Sequence, residues 1–196
     1  TEGFPAWQPE EAGWTQARRD EEAKALLAQA GYGPDRPLQV KITYNTSENH
    51  KKIAVAIGAM WKQKLGVDTT LTNLEWGTMQ SALRKKEYKD IGRTSWIGDF
   101  DDPSNFLDLF RSTAGEQNYP GYASPDYDKL MDAAVVEADL AKRGQTLAQA
   151  EQLFLADQAI IPIYYYTSKR MLSTKVKGWQ DNVLDNHLSR WLTVER

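Results

Sequence analysis

The densest group of chemically capable side chains lies in one run, Arg93-Thr94-Ser95-Trp96-Ile97-Gly98-Asp99-Phe100-Asp101-Asp102-Pro103. Asp99, Asp101 and Asp102 crowd three carboxylates into four positions, and such charges repel unless something positive shares the site. A calcium loop needs alternating oxygen ligands, a glycine at the bend and a distal bidentate Glu. This spacing does not supply them, and no metal is expected. Asp101 and Asp102 are expected to be solvated and to open a helix after Pro103, where the helix dipole favours negative charge. Asp99 differs, because Trp96 and Phe100 flank it with apolar surface and Gly98 lets backbone come close. A carboxylate so placed is either a socket for an ammonium group or the partner of Arg93 in a structural salt bridge.

Other routes to chemistry are thin. His50 and His187 are the only histidines, and neither stands in an HExxH or HxH arrangement, so a helix-start or surface position suits each better than a metal or general-base role. The motifs GxSxG, GxxxxGK, GxGxxG and SxxK are absent, which leaves nucleophilic catalysis and phosphate binding without local support. A small hydrolase, using His50 or His187 with a nearby carboxylate, is the alternative from another class. A purely structural interaction domain with exposed aromatics is a third. Asn45-Thr46-Ser47 fits the glycosylation sequon and reads as a loop with capping residues. No cofactor is expected.

With no cysteine, the chain has no disulfides, thiolate metal sites or cysteine nucleophiles. The 24 Lys+Arg against 27 Asp+Glu give a net charge of -3, so no basic excess draws nucleic acid or anionic lipid. No apolar run approaches the roughly 20 residues of a membrane span. The start, Thr1-Glu2-Gly3-Phe4-Pro5, lacks a charged and then apolar leader, and any signal peptide is expected to lie outside this chain. Seven Trp and nine Tyr suit clefts and interfaces as well as cores. If the 196 residues closed into one body, about 9,400 Å² would stay exposed and roughly 70% of the open chain's surface would be buried.

The elements that must position these residues alternate. Thr15 caps a helix stopped by Gly31. A half-buried strand over residues 38–44 leads through a polar loop to a helix ending at Gly66. Strand 67–73, helix 76–86 and a third strand over 91–96 follow, which predicts an α/β lobe with parallel pairing. In such sheets ligands bind at the carboxyl ends of the strands. After Pro103 the pattern is helical: a short helix at 106–110, one opened by Pro125 through residue 137, and one over 140–157. The run from Ile160 to Tyr166 predicts a buried strand with alternating rings, and a last strand is expected near 190–194.

Seven motifs occur here in one order: Tyr44-Asn45-Thr46-Ser47-Glu48-Asn49-His50-Lys51-Lys52; Trp61-Lys62 with Leu65-Gly66-Val67; Glu75-Trp76; the 93–103 run; Gly121-Tyr122 with Ser124-Pro125; Ile161 to Tyr166; and Leu184-Asp185-Asn186. Together they resemble the C-terminal part of the periplasmic oligopeptide-binding proteins of ABC importers, the family 5 solute-binding proteins. The resemblance implies a periplasmic-binding-protein-like lobe, a mixed sheet flanked by helices. Residues 1–167 would form the peptide-binding lobe and 168–196 a segment crossing back toward a first lobe. By the same resemblance that first lobe, the family's extra domain and the beginning of the second lobe are expected to have no counterpart in these residues, which leaves the 1–167 lobe incomplete at its N-terminal side.

By the same resemblance Asp99 pairs with the α-amino group of a short, extended peptide. Arg93, Arg84 and His50 meet its carboxylate or acidic side chains, and Trp96, Tyr166 and Asn45 line the cleft. The backbone at Ser95 and Ile97 pairs with the peptide main chain as an added strand. A dipeptide, a murein tripeptide or a metal chelate are alternative solutes on the same fold. No enzymatic activity is implied. The implied partners are the permease subunits of the transporter and the N-terminal part of the same protein, and the implied location is the periplasm or, as a lipoprotein, the cell surface. These residues alone are expected to bind peptide weakly or not at all.

Overall fold

Local signals start and stop most elements where chain chemistry places them. The structure, a computed structural model, describes residues 4, 5, 7–182 and 184–195; Thr1, Glu2 and Gly3 lie outside the described residues. Helix α1 (Gln16–Gln29) begins at Thr15, whose hydroxyl accepts from the Arg18 N–H at 3.3 Å. Strand β1 (Gln39–Asn45) is followed by α2 (Glu48–Leu65), which ends on Gly66 at φ +72°, a left-handed cap that glycine adopts without strain. Strand β2 (Asp68–Leu74), helix α3 (Trp76–Lys85) and strand β3 (Ile91–Gly92) complete two crossover units.

The sheet has the order β2-β1-β3 and is parallel throughout, with Gln39 opposite Asp68 and Ile42 opposite both Leu71 and Ile91. A separate ribbon of β4 (Val176–Lys177) and β5 (Thr193–Val194) is antiparallel. Ile42, Tyr44 and Ala54 form the buried centre of the sheet layer, with Val40, Ile57, Trp61, Leu71 and Ile91 packed round them.

A second core is built by helices. Helices α4 (Ser104–Leu107), α5 (Pro125–Val136) and α6 (Leu140–Ala156) bury Leu107, Tyr127, Met131, Ala134, Leu147, Ala150 and Phe154. Ser124 caps α5, with Pro125 in its first turn, and Asp139 caps α6. The Tyr127 hydroxyl donates to the Leu107 carbonyl at 2.6 Å, joining α5 to the end of α4. This core lies directly behind the acidic loop.

Three expectations need correction. The third strand is two residues long, not six. The Arg93 N–H still donates to the Thr43 carbonyl at 2.8 Å, but the backbone of 94–98 makes no ladder hydrogen bond to β1, which itself ends at Asn45. The run 161–175 is exposed and forms no strand: Tyr165 is 98% exposed and Ile163 57%. Its alternation of large side chains is that of a strand, yet a strand exists only against a second one, and the described residues offer none. Finally, the accessible surface is 13,997 Å², well above the 9,400 Å² or so of a closed body of this size.

Candidate functional site

The carboxyl end of the sheet gathers four side chains far apart in sequence. Asn45 closes β1 and is 9% exposed, because the strands beside it bury its stem. Its Oδ1 accepts from Arg93 Nη1 at 3.2 Å. The second arm of the same guanidinium, Nη2, donates to the Tyr166 hydroxyl at 2.5 Å, and Arg93 also lies over the Tyr166 ring at 5.7 Å. His50, in the first turn of α2, brings Nε2 to within 2.9 Å of the same hydroxyl. One phenol oxygen therefore stands between a guanidinium and an imidazole.

The electrostatics of this network favour an arriving anion. Burial, and then the Arg93 charge, lower the His50 pKa below its ordinary value, while the Asn45 carbonyl acts the other way. His50 is held neutral near pH 7, and its Nδ1 is buried without a hydrogen-bond partner. Burial raises the Tyr166 hydroxyl, which keeps it protonated and able to donate.

Beyond Arg93 the chain runs extended across open surface. Ser95 and Ile97 are exposed, Ile97 by 80%, and the backbone of residues 94–98 makes no hydrogen bond to the described residues. The Asp99 carboxylate is exposed and, among the described residues, has no partner. The salt bridge to Arg93 is not formed, since both arms of that guanidinium are directed to Asn45 and Tyr166. Trp96 is half-buried and its indole Nε1 donates to Asn105 Oδ1 at 2.8 Å. Arg84 stands exposed in the last turn of α3, and no hydrogen bond or ion pair joins it to the others.

Asp102 is not solvated as expected. Arg143 of α6 grips both its oxygens, at 2.6 and 2.9 Å, and Oδ1 also accepts from the Ser104 N–H that opens α4. The Arg143 hydrogen bonds hold the carboxyl well below the usual carboxylate range. Each side chain of the pair is about a quarter exposed, so screening reduces what the contact contributes. Arg143→Leu is expected to cost about 1 to 2 kcal/mol of stability at neutral pH. Because the folded pKa is depressed, that contribution is present above pH about 4 and fades as pH falls below it. Urea titrations at pH 7 and pH 3 that show the same difference between wild type and variant would remove the bridge from this role.

Two sequence readings take other forms. The Asn45 sequon residue is buried at a strand end, and Thr46, in place of capping a helix, donates to the Leu74 carbonyl and accepts from Asn73. His187 lies against Asp185 at 2.8 Å and stacks on Trp179 at 3.6 Å. Ser168 donates to Asp185 as well, at 2.8 Å, so carboxylate and not imidazole takes the hydroxyl. That order does not build a serine nucleophile with a histidine base. Among the described residues no group of three or more His, Asp or Glu is placed to hold a metal.

Asn105 and Arg143 were not legible as site residues. An asparagine just inside a helix reads as an ordinary turn residue, and an arginine on a helix face reads as solvated. Only the hydrogen bonds across 6, 9 and 41 positions give them their places.

A parallel sheet whose carboxyl edge presents a guanidinium beside a neutral imidazole, a stretch of unpaired extended backbone and an exposed carboxylate has the layout in which open α/β folds place their ligand sites. Residues 1–118 match the family described as bacterial extracellular solute-binding proteins, family 5 Middle, and the chain belongs to that family. It is 39% identical over 191 residues to the periplasmic oligopeptide-binding protein OppA of Escherichia coli, a match covering 97% of this chain and 35% of that protein. The E. coli murein tripeptide binding protein MppA superimposes with a TM-score of 0.89 at 37% identity, over 99% of this chain and 38% of that one. Haemophilus influenzae OppA in complex with RPPGFSPFR gives a TM-score of 0.88 at 36% identity, over 96% and 37%. The chain thus spans a little over a third of the length of these relatives, which are named as binding proteins, not enzymes.

Proposed function

We propose that this chain is the peptide-binding lobe of the solute receptor of an ABC peptide importer, holding short oligopeptides in extended form between itself and a first lobe. The observation that carries the reading is the order of groups along one edge: the Arg93 guanidinium with the neutral His50 imidazole beside it, then unpaired backbone over 94–98, then the exposed Asp99 carboxylate. An extended peptide has the complementary order of carboxylate, backbone and ammonium. Main-chain hydrogen bonds at Ser95 and Ile97 and an ion pair at Asp99 supply affinity that ignores side-chain identity, and hydrated pockets tolerate variety.

In this reading Asn45 aims the Arg93 fork and Tyr166 fills the space between Arg93 and His50 until a carboxylate arrives. Trp96 walls the amine end, and Arg84 meets acidic groups of longer ligands. Residues 168–196 form the crossing segment and 1–167 the lobe proper. Nothing is cleaved or transferred. The partners are the permease subunits and the first lobe, and the location is the periplasm or, for a lipid-anchored form, the cell surface. A murein tripeptide is the second reading, supported by the likeness to MppA. Its additional carboxylates would draw on Arg84 and Arg93.

Calorimetry with trialanine, its N-acetyl form and its C-amide tests the reading. A carboxylate placed beside neutral His50 raises the imidazole pKa and draws in a proton. Affinity for free-acid peptides is therefore expected to rise as pH falls from about 7.5 to about 5.5, with the C-amide unaffected. Binding enthalpies that do not vary with buffer ionisation enthalpy would take the carboxylate away from His50. Failure of all three peptides to bind a protein with both lobes would end the peptide reading.

A further inference from the structure

The geometry points to Asn105 as the positioning residue of the amine end: its side-chain oxygen fixes the Trp96–Asp99 turn, and with it the direction of the Asp99 carboxylate. Asn105 is 7% exposed. Its Oδ1 accepts two hydrogen bonds, from the Trp96 indole at 2.8 Å and from the Asp99 backbone N–H at 3.2 Å. One oxygen thus ties together the first and last residues of Trp96-Ile97-Gly98-Asp99. The backbone of 94–98 itself makes no hydrogen bond to the described residues, so without this tie the turn has little to hold it.

The surroundings make Asn105 a fixed reference. Its backbone N–H donates to the Asp102 carbonyl at 3.1 Å, and the Asp102 side chain is gripped by Arg143 of α6. Two residues on, Leu107 belongs to the helical core and its carbonyl takes the Tyr127 hydroxyl. The turn also lies on the next side chain, since a Cβ at Gly98 would meet the Phe106 ring at 3.3 Å. The rigid helical body therefore sets where an exposed carboxylate stands on an otherwise unpaired loop, and a buried amide is the joint between them.

The consequence for ligands rests on the reading of Asp99 as the amine anchor; the positioning itself does not. Both are tested on this 196-residue chain by nuclear magnetic resonance, in wild type, Asn105→Leu and Asn105→Asp. Leucine removes the acceptor at similar size, while aspartate keeps it. Exchange of the Trp96 indole and Asp99 amide protons is expected to speed up roughly tenfold or more in Asn105→Leu and to stay near wild type in Asn105→Asp, with Leu147 and Ala150 amides unchanged in both. Trp96→Phe, which deletes one donor and keeps the ring, is expected to accelerate the Asp99 amide alone, and it decides the matter should Asn105→Leu not fold. Unchanged exchange in the leucine variant, or equal acceleration in the aspartate variant, overturns the proposal.

Titration with millimolar trialanine and N-acetyl-trialanine, followed at the Asp99 amide, reads the ligand consequence. Asn105→Leu is expected to weaken the free amine about tenfold and the acetylated peptide hardly at all, with Asn105→Asp restoring the difference. Equal losses for both peptides would sink the specificity role. If this chain responds to neither peptide, the same comparison is read by calorimetry in a protein carrying both lobes, where equal affinity of wild type for the two peptides ends the reading of Asp99, and the exchange rates still decide the positioning.

Discussion

Asp99→Asn, in a protein carrying this lobe together with a first lobe, is expected to weaken binding of a free-amine tripeptide by at least about 2 kcal/mol and of its N-acetylated form by far less. The expectation follows from what surrounds the carboxylate. It is exposed, no cation among the described residues satisfies it, and the Trp96 wall on one side would strip water from an arriving ammonium. At about 4 Å and an effective dielectric near 20 the attraction is of order 4 kcal/mol before desolvation is subtracted. Asparagine keeps the shape and the acceptor oxygen and removes only the charge. Isothermal titration of both peptides against both proteins checks it, and an equal loss for the two would show that Asp99 does not meet the amine.

Phe154→Ala is expected to cost more, about 3 to 5 kcal/mol of folding stability, as deletion of a fully packed ring does. Phe154 is 2% exposed. Its ring stacks on Phe110 with centroids 4.0 Å apart and meets Tyr122 edge-on at 5.2 Å. These rings hold α6 against the segment after α4, and α6 carries Arg143, so the loss should also loosen the loop that bears Asp99. Urea unfolding followed by circular dichroism measures the cost. A loss below about 1 kcal/mol would mean that neighbouring side chains refill the space.

The two predictions probe different bodies of the same lobe, and the sequence spoke unequally about them. Periodicity placed β1, β2 and α3 within a residue or two and ended α2 at its left-handed cap, Gly66, with Glu75 accepting from the Gly77 and Thr78 N–H groups to open α3; it set the start of α2 too late, because Glu48, Asn49 and His50 read as loop and belong to its first turn. It misjudged 91–96 and 160–166. Both runs have strand-like composition, but their pairing is settled by what lies alongside, and composition says nothing of that. Asp102 was read from its neighbours in the chain as solvated, when its partner lies 41 positions away.

Sequence alone therefore determined the alternation of elements, the absence of cysteine chemistry, the acidic loop and the singular setting of Asp99 between Trp96 and Phe100. These depend on residue type and short spacing, which local sterics and hydrogen bonding translate directly into conformation. Tertiary structure alone decided that Tyr166 should bridge Arg93 and His50 across 73 and 116 positions, that Arg93 should leave Asp99 free by turning to Asn45, and that a buried amide at Asn105 should hold the turn. Contacts of that kind arise only when the parallel sheet brings the ends of β1 and β3 side by side, and no periodicity in the chain encodes which side chains then meet.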